Sequence, residues 1–299
     1  MIIDYASRPP APEFDQSTVS HLANYRRVYA ASEGRVAEAA GTGTMDDYLA
    51  MYDRVGARHV VVKARDVEST FGWRIRNEDV AAFCRTRGDR FIGFAGVDPH
   101  KGMTAVRELE YAVRALGLKG LNLQCFEHRI AINDPRMYPL YAKCIELDIP
   151  VNIHAGINFS SMSLMEYGRP MLLDQVMVHF PELRVCAAPP GFPWIQELIG
   201  VAWRHPNVHI GLVAVRPRYL KVDHSGYEPL LQYGRTLLQD RIIFGSSYPL
   251  TPVQSSLDDI DALGLEPAIR HKWLFQNACN FLRLPGADAA PDAERRQRA

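Results

Sequence analysis

The sequence contains no CxxC pair. Its five cysteines (Cys84, Cys125, Cys144, Cys186 and Cys279) are odd in number and widely spaced, which argues against a zinc ribbon or a dithiol redox motif. Charge of one sign is not in excess either. The 34 basic residues balance 34 acidic ones, and the basic residues form no stripe, so a nucleic-acid surface is not expected. No apolar run reaches the ~18 residues of a membrane span. The N-terminus lacks the charged-then-apolar order of a secretory leader, so a reduced, cytoplasmic protein is expected. No early strand leads into a Gly-rich phosphate turn, which counts against a doubly wound nucleotide-binding sheet. Internal repeats and low-complexity segments are also missing.

What the sequence does contain is a regular alternation. Of its 299 residues 47% are hydrophobic, enough for one large core. Short apolar runs occur at 1–6, 59–64, 91–97, 120–124, 150–155, 183–188, 207–214 and 241–246. They are β-branched and apolar on both faces, as strands buried on both sides require. Between them lie segments of helical spacing. Segment 45–56 carries Tyr48, Leu49, Tyr52 and Val55 and stops at Gly56, and segment 77–88 offers Asn77 as a cap and Gly88 as a stop. Eight strand–helix alternations predict an α/β fold, a (β/α)₈ barrel, over residues 1–284. Residues 7–45, with Pro9, Pro10 and Pro12, form a long irregular loop after the first strand, on the face where barrels carry their chemistry. Residues 285–299 read as a flexible tail.

Several phrases then carry a resemblance. Segments 91–102, 134–156, 172–185, 191–210, 241–250 and 273–284 together resemble the amidohydrolase-related branch of the amidohydrolase superfamily. That branch includes decarboxylases of aminocarboxymuconate and resorcylate type and lactone hydrolases of aromatic breakdown. The resemblance implies an amidohydrolase-like barrel and a metal site made by strand-end residues. After the first strand the branch pattern is Ile-Asp-x-His-x-His, whereas this chain reads Ile3-Asp4-Tyr5-Ala6-Ser7-Arg8. Strand five ends in a histidine ligand, kept as His154. Strand six supplies a further imidazole where this chain has Pro189, and strand eight an aspartate where it has Ser247. The Lys and His that often face inward from strand four are Asn122 and Gln124. A guanidinium repels a divalent cation, and a catalytic zinc needs about three protein ligands. The expectation is therefore no metal and no cofactor.

With the metal's residues gone, Arg8 is expected to clamp a carboxylate or an oxyanion, His154 to act as general base or acid, and Ser247 to assist as a catalytic hydrogen-bonding group. Tyr5, Arg76, Asn122, Gln124 and Tyr248 are candidate substrate contacts. Plainer roles stand beside these: an ion pair of Arg8 with Glu13 or Asp15, and a satisfied polar layer at Asn122 and Gln124. The leading expectation is a metal-independent hydrolase of a lactone or related C–O bond, or a cyclase or lyase, acting on a small, anionic, aromatic-derived or polyketide-like molecule. A decarboxylase is one alternative. A non-catalytic homologue, acting as a binding protein or as partner to an active homologue, is another. A homodimer is compatible with the exposed helix faces.

Overall fold

The computed structural model describes residues 1–17, 19–30 and 43–285. The expected tail, apart from Pro285, and residues 31–42 of the expected loop lie outside the described residues. Eight parallel strands form the barrel: β1 (Ile2–Asp4), β2 (Ala57–Lys63), β5 (Phe91–Gly96), β6 (Leu121–Leu123), β7 (Val151–Ile153), β8 (Val185–Ala187), β9 (Val208–Leu212) and β10 (Ile242–Phe244). Their spatial order is their chain order, as right-handed crossovers through intervening helices produce. Closure between β10 and β1 is made by Tyr5 N–H to Phe244 O (3.0 Å) and Ser247 N–H to Ala6 O (2.8 Å). A two-stranded ribbon, β3 (Arg65–Val67) and β4 (Trp73–Ile75), follows β2.

Helices cover the outside. Helix Met45–Arg54 begins at a capping box, in which Thr44 Oγ1 accepts from Asp47 N–H (3.2 Å) and Asp47 Oδ2 accepts from Thr44 N–H (2.9 Å). It buries Tyr48 and Tyr52. Helix Met103–Arg114 buries Ala105, Val106, Leu109 and Ala112, one stripe at helical spacing. Truncating Leu109 there would cost about 2–5 kcal/mol. Asn77 does not act as the expected cap. Arg76 holds the cap position, and the Asn77 side chain accepts from Gly96 N–H (2.9 Å) and donates to Gly96 O (3.1 Å). It therefore fastens helix Asn77–Thr86 to the end of β5. Among the described residues no helix is long and apolar enough to cross a membrane.

The barrel has its own inner core, distinct from the strand–helix layer. Ile3, Val61, Ile92 and Ile243 belong to it, with Tyr5, Phe94 and Cys186 and then Ala6, Ala188 and Val213. Phe94 fits because Gly120 lacks a side chain: a Cβ there would stand 2.5 Å from the Phe94 ring.

Candidate active site

Alternate residues of a strand point to the same side, so the last inward residues of the barrel strands surround its mouth. Ala6, Ala188 and Val213 form an apolar floor, and with Gln124 and His154 they keep 6–9% exposure at an otherwise sealed core. Arg8, Arg65 and Ser247 complete the polar part of the ring, each partly exposed.

The Arg8 guanidinium donates through Nη1 to Gln16 Oε1 (2.8 Å). Burial and the neighbouring Arg65 push its pKa down, although a guanidinium stays charged at any working pH. Asp15 acts on it only through space. His154 is packed against the Phe126 ring, with centroids 4.6 Å apart. Its Nδ1 is buried without a protein partner. Desolvation lowers its pKa to about 4, with Glu127 pulling it up and Arg65 pushing it down, so the ring is neutral at pH 7. Gln124 donates Nε2 to Asn122 Oδ1 (2.9 Å) and leaves its own carbonyl oxygen for a ligand. Ser247 Oγ accepts from Ala214 N–H (2.7 Å). Its φ of 60° places it in the left-handed region, uncommon for a residue with a side chain.

Four other sequence candidates have different placements. Asn122 is buried and engaged at both ends: Oδ1 accepts from Gln124 and from Asn152 Nδ2 (2.9 Å), and Nδ2 donates to Ala64 O (2.9 Å). It forms the polar layer under the mouth rather than a substrate contact. Tyr5 has no exposure and is wedged edge-on between Phe94 and Phe281 in the barrel core. Arg76 is exposed beside Glu78, Nε to Oε2 3.6 Å, outside the barrel mouth, because the β3–β4 ribbon carries the chain outward before it. Tyr248 lies at the rim, half-buried, its ring 5.3 Å from Tyr48.

Sequence reasoning missed Lys63, Arg65, Glu127 and His21. The signal was present in Lys63-Ala64-Arg65, two cations on alternate residues where β2 runs into β3. Arg65 bears electrostatically on Arg8, Lys63 and His154 alike, and its Nη1 pairs with Glu127 Oε1 at 3.2 Å. His21 Nε2 meets the same oxygen at 2.7 Å, both side chains fully buried. Arg65 and His21 hold the Glu127 carboxyl below its ordinary pKa in spite of burial, and its Oε2 has no partner. His21 stacks on Phe71 (3.9 Å), and Asn24 Nδ2 donates to Phe159 O (2.7 Å). These contacts dock residues 20–25 of the long loop beside His154.

The residues do not fit the metal that the fold's relatives imply. Of the ligand positions, Ala6 is a methyl group, Arg8 a cation, Pro189 lacks a donor side chain and Ser247 is a neutral hydroxyl, so His154 is the one good ligand left. Among the described residues no three His, Cys, Asp or Glu side chains come together to hold a metal ion.

The chain belongs to the amidohydrolase family, whose model matches residues 21–284. It is 23% identical over 250 residues to a gamma-resorcylate decarboxylase of Rhodococcus jostii, covering 71% of this chain and 76% of that protein. A 2-amino-3-carboxymuconate-6-semialdehyde decarboxylase of Dictyostelium discoideum is 24% identical over 135 residues, 40% of this chain and 38% of the relative. Among solved structures, an uncharacterised TIM-barrel protein of Bordetella bronchiseptica superposes with a TM-score of 0.75 at 27% identity, over 94% of this chain and 98% of that one. A dihydroxybenzoic acid decarboxylase of Polaromonas with bound manganese gives 0.66 at 17% identity, over 95% and 97%.

Proposed function

We propose that this protein is a metal-independent enzyme acting on a small carboxylated molecule, and that it hydrolyses a lactone or related C–O bond. The observation that carries this reading is the grouping of two guanidinium groups, Arg8 and Arg65, with a neutral imidazole, His154, whose Nδ1 has no protein partner, around an apolar floor. The floor of Ala6, Ala188 and Val213 accepts a flat apolar ring. Arg8 holds the substrate carboxylate, because a charge-assisted guanidinium–carboxylate contact is strong and directional. His154 takes a proton from water as its oxygen attacks the lactone carbonyl carbon. Arg65 stabilises the oxyanion that develops. The ring C–O bond then breaks, and the imidazolium returns the proton to the leaving oxygen, giving a hydroxy acid. The Ser247 hydroxyl donates to the carbonyl, and the Gln124 amide oxygen accepts from the attacking water.

A second reading, decarboxylation of a carboxylated aromatic, is favoured by the decarboxylases among the relatives. In that case the same arginines hold the carboxylate, His154 relays a solvent proton to the ring carbon, and the C–C bond to the carboxylate breaks to release CO₂. The test is an absorbance assay of purified protein on carboxylated unsaturated lactones and on hydroxybenzoates, with and without EDTA. Ring opening unaffected by EDTA and lost in Arg8→Ala and Arg65→Ala is the expected result. Loss of CO₂ from hydroxybenzoates instead selects the second reading. Binding of both classes without turnover establishes a non-catalytic protein. A stoichiometric metal ion whose removal abolishes activity overturns metal independence.

A further inference from the structure

Below the ring of the mouth lies a cation that the hydrolytic reading does not use. Lys63 is the last residue of β2, two before Arg65, and so faces the same interior. Its Nζ donates to Asn152 Oδ1 (3.1 Å) and sits 4.2 Å above the centre of the Tyr5 ring. Among the described residues no carboxylate pairs with it, whereas Lys101 has Asp66 at 2.6 Å and Lys272 has Asp240 at 2.8 Å. The Asn152–Asn122 link, fixed by a 2.9 Å bond, holds the amine in one place. Lys63 nevertheless keeps partial exposure in a layer whose neighbours Tyr5, Asn122, Asn152 and Cys186 are buried. Part of the Lys63 residue is thus solvent-accessible within an otherwise closed layer.

We propose that Lys63 is a nucleophilic amine that forms an imine with the aldehyde or ketone group of a small oxo acid whose carboxylate is held by Arg8 and Arg65. This inference rests on the proposed binding of a carboxylate by Arg8, to which it adds Arg65 as a second contact. The arrangement is graded in depth: the guanidinium groups occupy the rim and the amine the next layer down, about 7 Å along the strand at ~3.3 Å per residue. A small oxo acid, with its carboxylate hydrogen-bonded to the guanidinium groups and its carbonyl carbon bonded to the amine, spans that interval. The chemistry requires an uncharged amine. Desolvation, reinforced by Arg65 and opposed by Cys186 and Asp4, lowers the ammonium pKa to about 8. Roughly a tenth of Lys63 is then free base at pH 7, about two orders of magnitude more than for an ordinary lysine. The amine nitrogen attacks the carbonyl carbon to give a carbinolamine. The carbonyl oxygen leaves as water, taking both amine hydrogens, and a C=N bond remains. A solvent proton converts it to an iminium, an electron sink for breaking a bond at the adjacent carbon.

The test is reductive trapping on the full chain. Protein is mixed with pyruvate, with acetoacetate or with acetone at pH 7, then treated with borohydride, which places hydride on the imine carbon while the nitrogen takes a solvent proton. Peptide mapping locates the stable secondary amine. The expected result is labelling by pyruvate or acetoacetate concentrated at Lys63 at least about tenfold over any surface lysine. Labelling should be absent in Lys63→Arg and reduced at least about tenfold in Arg8→Ala. Because the wild-type map alone decides the site, a poorly folding variant does not blur the outcome. Label spread evenly over surface lysines such as Lys119, or no label, overturns the proposal. No label at Lys63 together with Arg8-dependent anion binding sinks the amine and keeps the clamp. Equal labelling of Lys63 by acetone overturns the oxo-acid assignment and the clamp.

Discussion

Lowering the pH should expose the state of His154. In the folded chain burial holds its pKa at about 4 against an ordinary 6.5. As pH falls through 6.5 the unfolded chain takes up a proton that the folded chain refuses until about pH 4. The unfolded state therefore binds more protons in that window, and stability declines with falling pH across it. The contribution is complete above pH 6.5 and gone once pH has fallen through 4. At about 1.4 kcal/mol per pH unit, the interval amounts to about 3 kcal/mol. His209 acts in the same direction, its pKa lowered by burial to about 3, so the wild-type profile alone does not isolate His154. The perturbation is His154→Asn, and the quantity is the difference between variant and wild type. Urea denaturation followed by tryptophan fluorescence at pH 7, 6, 5 and 4.5 gives that difference directly. The variant's loss of stability between pH 7 and 4.5 should be smaller than the wild type's by about 2–3 kcal/mol. Activity in the same variant should fall by about 10²–10⁴ at pH 7. Parallel acid profiles would show that the folded imidazole titrates normally, and its role as a neutral base would fall with that result.

Further outcomes can be measured on the same preparation. Asp4 is buried and accepts from Ala6 N–H (3.1 Å), Ser246 N–H (2.9 Å), Ser246 Oγ (2.6 Å) and Tyr52 OH (2.7 Å); Asp4→Asn turns an amide NH₂ toward donors and should cost about 3 kcal/mol in urea denaturation, while a loss under 1 kcal/mol would show that the closure of β1 on β10 does not depend on it. Glu127→Gln leaves Arg65 and His21 without their shared anion and should cost about 3 kcal/mol, with weaker docking of residues 20–25 seen as faster amide exchange there; unchanged exchange would deny that link. Lys63 has a folded pKa of about 8 against 10.5, so its desolvation penalty stands in full below pH 8 and is relieved as pH rises toward 10.5. The stability of Lys63→Met relative to wild type should accordingly drop by about 2–3 kcal/mol between pH 7 and pH 10, and a constant difference would refute the buried charge.

The barrel was readable because its evidence is local. Each of the eight apolar runs coincides with one barrel strand, since a strand buried on both faces must be apolar along its length. The altered ligand positions were readable through the family resemblance: Ala6, Arg8, Pro189 and Ser247 are identities, and identity alone decides whether a side chain can bind a metal. The register of β6 and β7, with Asn122 opposite Asn152, was not readable. That register turned Asn122 from a candidate contact into a buried structural amide. The placement of Arg76 outside the mouth was not readable for a similar reason, because the outward turn of the β3–β4 ribbon leaves no trace in composition.

The sequence by itself thus determined the barrel, because strand–helix alternation follows from periodicity within a few residues, whereas the residues at the expected ligand positions were legible only through the family resemblance. Only the tertiary structure decided that Arg65 and His21 share the Glu127 carboxylate and that Arg65 and Glu127 act electrostatically on His154. Positions 21, 65, 127 and 154 come from four separate segments, and their convergence depends on how strands pair and how a distant loop docks. Burial, which sets the protonation of His154 and Lys63, is likewise a property of the assembled barrel, because a side chain is desolvated by neighbours that the chain supplies from elsewhere.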